Sequence, residues 1–215
     1  MTEAAETSPV FSPDGKWIAY AASDAPPTWG FTSRVHVVPV DGGPSRALAE
    51  SYDRQPNIIG WSADGSKVFI SETHRSVNRL SALPVDGGKP VDLSPADRMV
   101  DGPTLNRTGS HIGFSSQAAD TPPEAFVSGV EPFGLSQISH VQDLPDTPVG
   151  KTEVVQWKSA DGKDVEGLLT YPVGYETGTR VPLLVVVHGG PTGVFMQRFI
   201  ASNTVYKSRG SSSML

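Results

Sequence analysis

The feature that most constrains this chain is a repeat. The segment Phe11-Ser-Pro-Asp-Gly-Lys-Trp-Ile-Ala-Tyr20 returns as Trp61-Ser-Ala-Asp-Gly-Ser-Lys-Val-Phe-Ile70 and, weakened, as Leu105-Asn-Arg-Thr-Gly-Ser-His-Ile-Gly-Phe114. The turn glycines Gly15, Gly65 and Gly109 are spaced by 50 and then 44 residues. A second signature interleaves with the first, Pro39-Val-Asp-Gly-Gly43 recurring 45 residues on as Pro84-Val-Asp-Gly-Gly88. Asp-Gly between apolar segments is a hairpin signal, and a two-residue type I′ turn is expected there because it needs positive φ at both central positions. Each repeat then reads as strand, Asp-Gly turn, strand, loop, strand, Asp-Gly-Gly turn, short strand. Four strands in about 45 residues is the size of one β-propeller blade. Residues 11 to about 140 are therefore expected to form three antiparallel blades. The rival is a set of unrelated hairpins in a sandwich, which gives no reason for two signatures at a common period. Three blades do not close a ring, since propellers typically carry four to eight; either the propeller is incomplete or, the reading favoured because open flanks would expose strand edges, further blades precede Met1.

Little in the repeat region carries chemistry. His36, His74, His111 and His140 lie far apart, without metal-ligand spacing, and are expected to be surface or hydrogen-bonded residues. Asp14, Asp64, Asp41 and Asp86 recur with the repeat, so turn formation explains them better than catalysis does. Trp17, Trp29 and Trp61 are expected in the core or at blade edges, although Trp29 sits in the loop Pro26-Pro-Thr-Trp-Gly-Phe31. The 215 residues contain no cysteine, which removes disulfides, thiolate catalysis and cysteine-ligated metals. A net charge of −6 argues against nucleic acid or an anionic membrane as partner. No apolar run approaches the roughly 18 residues of a membrane span, and Met1-Thr-Glu-Ala-Ala-Glu6 lacks the basic and apolar regions of a signal peptide. If the chain is part of a longer protein, that says nothing of the whole, and the compartment stays open.

The grammar changes after a polar stretch with two prolines, Gln142-Asp-Leu-Pro-Asp-Thr-Pro-Val-Gly150, which sets an expected division into residues 1–148 and 149–215. Glu153-Val-Val-Gln-Trp157 and Val165-Glu-Gly-Leu-Leu-Thr-Tyr171 read as an antiparallel hairpin turning at Asp161-Gly162. A loop, Gly174-Tyr-Glu-Thr-Gly-Thr179, leads into Val181-Pro-Leu-Leu-Val-Val-Val187, expected to be a strand buried on both faces. It runs into His188-Gly-Gly-Pro191. In an α/β hydrolase this is the place for a loop whose free N–H groups meet a developing oxyanion, whereas the plainer reading is an ordinary Gly-Pro turn.

Taken together, Ser12-Pro-Asp-Gly15, Trp157-Lys-Ser-Ala-Asp-Gly162, Glu166-Gly-Leu-Leu169 with Tyr171-Pro172, and above all His188-Gly-Gly-Pro191 resemble a prolyl oligopeptidase-family serine peptidase. The resemblance is to the acylaminoacyl-peptidase and dipeptidyl-aminopeptidase branch and runs from about Phe11 to Tyr206. It implies a mainly β chain: a partial β-propeller of about three four-stranded blades, then the first strands of an α/β-hydrolase (peptidase) domain. It also implies a Ser-Asp-His mechanism on short peptides, without metal or other cofactor, with the propeller restricting access. The loop of His188 and Pro191 would carry the oxyanion hole at Gly189 and Gly190, most of all Gly190, and His188 would not be the triad base.

The sequence departs from the family where catalysis would begin. A nucleophile elbow, Gly-x-Ser-x-Gly, occurs nowhere in the 215 residues. The nearest string, Gly210-Ser-Ser-Ser-Met214, lacks the second small residue and the flanking strand and helix. No residue of the triad is therefore assigned, and the chain alone is expected to be inactive. Two rival functions are a non-enzymatic propeller binding protein and a carboxylesterase with a His-Gly-Gly oxyanion loop.

Overall fold

A computed structural model describes residues 3–142, 149–190 and 192–199, and the backbone of 212–214. Among the described residues there is no helix; the ordered elements are sixteen strands in four four-stranded sheets. The first sheet is the antiparallel meander β1 (Glu6–Phe11), β2 (Trp17–Ser23), β3 (Ser33–Pro39) and β4 (Arg46–Ala47). The second repeats it with β5 (Asn57–Trp61), β6 (Lys67–His74), β7 (Val77–Pro84) and β8 (Val91–Asp92). The third is β9 (Met99–Leu105), β10 (His111–Ala118), β11 (Thr121–Gly129) and β12 (Ser136–Gln137). These are the three expected blades.

The recurring turn differs from the expected one. Gly15, Gly65 and Gly109 have φ of 69°, 70° and 66°, but the preceding residues have no positive φ. Each glycine N–H donates to the carbonyl three residues back: Gly15 to Ser12 (2.9 Å), Gly65 to Ser62 (2.9 Å) and Gly109 to Asn106 (3.0 Å). This is a type I turn closed by a left-handed glycine, and it corrects the type I′ expectation. Side chains select it. Ser62 Oγ donates to Asp64 (2.6 Å) and accepts from the Lys67 amide (2.9 Å), while Asp64 also accepts from the Ser66 amide (3.0 Å) and hydroxyl (2.8 Å). Ser12 and Asp14 repeat the pattern, and Asn106 substitutes in the third blade by accepting from the amides of Ser110 and His111. Such side-chain bonds give the backbone a local alternative to the two-residue hairpin.

The hydroxyl of Ser62, then the amide and hydroxyl of Ser66, hold the Asp64 carboxyl well below its ordinary 3.8, at about 2. A folded-state value below the unfolded one contributes stability that is complete above 3.8 and is lost as pH falls through about 2. In urea titrations across that window the unfolding midpoint of the parent should fall more steeply than that of Asp64→Asn. Parallel curves would show that the turn carboxylate contributes nothing.

Two apolar layers stack the blades face to face. Ala19, Ala21, Val35, Val37 and Leu48 of the first blade meet Ile58, Trp61, Val68, Ile70 and Leu83 of the second. Phe69, Leu80 and Ala82 of the second meet Val100, Ile112, Phe114, Phe126 and Val130 of the third. The run Val68-Phe69-Ile70 is apolar without alternation because β6 lies inside a sandwiched sheet, its even-numbered residues facing one neighbour and Phe69 the other. Trp61, 5% exposed, adds a specific tie, its indole N–H donating to the carbonyl of Val10 in the first blade (3.0 Å). Trp17 packs at the rim of the first layer. Trp29 corrects its expectation. It is 75% exposed, because polar bonds rather than packing hold its loop: Arg54 pairs with Asp24 and Gln55 Nε2 donates to Gly30 C=O. His36 departs as well, since its buried Nδ1 finds no partner among the described residues while its ring tilts against Tyr20.

The fourth sheet has the order β13 (Thr152–Lys158), β14 (Asp164–Thr170), β16 (Ser212–Met214), β15 (Leu183–Val185). β13 and β14 form the expected hairpin, with Gly162 N–H donating to Ser159 C=O (2.9 Å) in the same turn type. β15 and β16 run parallel, the single parallel pair among the described strands. The strand after Pro182 is where the sequence placed it, but it is not buried: Leu183 to Val187 are 39% to 82% exposed. Its only described neighbour is β16, and no described element covers either face. The boundary at 148 and the string around Gly210 fall largely outside the described residues.

Candidate active site

The hairpin β13–β14, the glycine loop after β15 and the second blade converge on one cavity of about 510 Å³. Its wall includes Arg75 and Ser76 from the β6–β7 turn, Asp164 and Glu166 from β14, and His188 and Phe195 from the loop. Arg75 takes a left-handed backbone (φ 58°), which carries its side chain across to Glu166, with Nη1 3.7 Å from the carboxylate. Tyr52, a hydrogen-bonding neighbour, and then Glu166 raise the guanidinium above its ordinary pKa. Tyr52 is fixed in turn: its amide donates to the buried carboxylate of Glu72 (2.8 Å), and its ring stacks on His74 with centroids 3.6 Å apart. Desolvation, then Arg79, lowers the pKa of His74, which favours the neutral imidazole in that stack.

Of the predicted site residues, His188 lines the cavity, while Gly189 and Gly190 are exposed on the same loop. Pro191 lies outside the described residues. The loop turns where Gly193 N–H donates to Gly190 C=O (3.0 Å), and His188 meets the edge of Phe195 at 5.6 Å. Gly190 has φ of 70°, a region that glycine occupies without strain. Among the described residues nothing accepts a hydrogen bond from the amide of Gly189 or Gly190, and a Cβ on either would meet no atom within 4 Å. Two unbonded amides on an accessible loop are the raw material of an oxyanion site. Gly193 is crowded: a Cβ there would stand 2.5 Å from Gly189 C=O. Gly193→Ala should therefore displace the loop and shift the amide NMR resonances of Gly189 and Gly190, with blade resonances unmoved. An unchanged loop spectrum would show that the close approach is not sustained in solution.

The sequence pointed to the glycine loop but not to the residues opposite it. Glu166 stands out in the sequence only as part of Glu166-Gly-Leu-Leu169. Arg75, Tyr52 and Ser76 belong to no repeat signature, and only the folding of the second blade against the hairpin brings them to the cavity. Among the described residues, no three His, Cys, Asp or Glu side chains gather as a metal-holding group.

Propeller-type blades running into a hairpin, a parallel pair and a glycine loop define the class: a mainly β chain with antiparallel blades ahead of a mixed sheet. Comparison with known proteins makes this particular. No family model matches the chain. It is 25% identical over 198 residues to dipeptidyl-peptidase 5 of Trichophyton equinum, covering 89% of this chain and 27% of that relative. Its fold matches the acylaminoacyl peptidase of Pyrococcus horikoshii with a TM-score of 0.71 at 16% identity, over 94% of this chain and 30% of that one. It matches dipeptidyl peptidase 4 of Porphyromonas gingivalis with a TM-score of 0.70 at 16% identity, over 96% and 29%. These relatives and structural neighbours are prolyl oligopeptidase-family peptidases, and the similarity covers most of this chain. It spans 27% of the length of the curated relatives it matches.

Proposed function

We propose that this chain is part of a serine peptidase that hydrolyses short peptides by acyl transfer. Residues 1–148 supply blades of its propeller and 149–215 the start of its hydrolase domain. Gly189 and Gly190 supply oxyanion-hole amides, Gly190 foremost, and the propeller restricts what reaches them. The observation that carries the reading is a pair of amides that meet no acceptor among the described residues, beside a cavity built jointly by the second blade and the β13–β14 hairpin. An oxyanion donor acts by meeting charge that develops in the transition state, which favours an N–H that is held in place and not committed to another protein acceptor. The nucleophile, acid and base belong to sequence other than these residues, and the chain alone is inactive.

Joining the chain to the downstream hydrolase segment of a dipeptidyl-peptidase 5 relative provides the test. The fusion should cleave short peptide reporters and leave a folded protein substrate intact. Cleavage of acyl esters without peptides would make the site that of an esterase, and equal cleavage of folded protein would remove the access role of the blades.

A further inference from the structure

Beyond the glycine loop the chain lies against the blades, and three successive residues are fastened there. Gln197 is held twice at the β6–β7 turn: its amide donates to Ser76 C=O (2.8 Å) and its Nε2 to the buried Ser76 Oγ (2.9 Å). Arg198 makes a forked pair with Asp101 on β9, Nη1 to Oδ2 at 3.2 Å and Nη2 to Oδ1 at 3.3 Å. The Phe199 amide donates to Gln117 Oε1 on β10 (3.0 Å). The receiving groups are themselves cross-linked, since Asn78 Nδ2 and Gln117 Nε2 both donate to the Asp101 carboxylate, at 3.0 and 3.1 Å. Two blades thus present a prearranged polar seat to residues that are distant in sequence.

The loop between this seat and β15 has few bonds of its own. Gly193 N–H to Gly190 C=O closes the turn, and His188 rests on Phe195. Nothing described touches the two glycine amides, so their direction depends on how the ends of the loop are held. An isolated, partly exposed ion pair contributes little stability. A forked guanidinium–carboxylate pair nevertheless fixes direction, which a lysine cannot do in the same way.

We propose that Asp101 and Arg198 are positioning residues, through which the second and third blades set the aim of the Gly189 and Gly190 amides. The catalytic meaning of this rests on the oxyanion reading; the mechanical coupling does not. In relaxation measurements on the ¹⁵N-labelled chain, Gly189 and Gly190 should show order parameters near the rigid value of about 0.85, falling below about 0.6 in Arg198→Gln. Arg198→Lys, which keeps the charge and loses the fork, should fall between the two. Residues of β2 and β3, in the first blade, serve as internal controls and should not change in any of these variants. Asp101→Asn alone should loosen the loop, and in the Arg198→Gln background it should add less than it does alone, because the forked contact is shared and only the bonds of Asp101 to Asn78 and Gln117 are left to lose. Unchanged glycine order in Arg198→Gln, or additive effects of the two substitutions, would overturn the proposal. Such a failure leaves the oxyanion reading standing, since that is judged by turnover and not by loop order.

Discussion

Replacing the Gly190 amide with an ester linkage, in the fusion that restores a nucleophilic serine, should lower kcat by about 10²- to 10³-fold and leave KM little changed. The size follows from the loss of one donor to the tetrahedral intermediate, about 3–4 kcal/mol of transition-state stabilisation. The split between kcat and KM follows because the ground-state carbonyl makes weaker use of the same donor. Backbone chemistry is preferable to a side-chain substitution here. Gly190→Pro also removes the N–H, but proline fixes φ near −65° where the glycine holds 70°, so it would rebuild the loop as well. Unimpaired turnover by the ester-linked protein would remove the Gly190 amide from the mechanism.

Phe69→Ala should destabilise the blades by about 3–5 kcal/mol, the range for removing a buried phenyl ring from a core that relaxes only in part. Phe69 is 2% exposed and is the residue of β6 that faces the third blade, with Leu80, Ile112, Phe114 and Phe126 in the same layer. The loss should not be confined to one sheet. Both unfolding of the third blade and release of Asp101, which β9 carries, should follow at lower urea than in the parent. A change below about 1 kcal/mol in urea unfolding would show that the second and third blades do not share a cooperative core.

These effects arise at the two places where the sequence was read with opposite success. The blades were legible because each needs the same turn. Ser12-Pro-Asp-Gly15, Ser62-Ala-Asp-Gly65 and Asn106-Arg-Thr-Gly109 repeat a local bonding pattern that depends only on near neighbours, so a short string predicts it. The turn type was misassigned because Asp-Gly was read as a two-residue unit. The serine or asparagine two residues before the Asp or Thr decides the geometry, by accepting the amides beyond the glycine. Leu183 to Val187, a run of the kind that parallel sheets bury, is exposed for a different reason. An apolar run reports what a strand requires and not what is present to cover it, and no described element covers these residues. Trp29 fails in the same way, its hydrophobicity outweighed by a loop that Asp24, Arg54 and Gln55 hold in place. The glycine loop was visible as His188-Gly-Gly-Pro191. Its surroundings were not, because Arg75 and Ser76 share a cavity with His188, and Asp101 and Gln117 bond Arg198 and Phe199 just beyond it, across 80 or more residues with no periodic signal to link them.

Under the proposed function these residues hold an oxyanion loop and the blades beside it, but no activated serine. Even without a triad, an assembled pocket can accelerate hydrolysis by about 10³ to 10⁴ over water, so slow turnover alone would not decide the matter. Covalent labelling does, because a fluorophosphonate reacts with a serine only where a neighbouring base raises its nucleophilicity. Incubation of the purified chain with such a probe, followed by intact-mass measurement, should show no adduct, as no Gly-x-Ser-x-Gly elbow is present. Stoichiometric labelling of one serine, abolished by its replacement with alanine, would contradict the account.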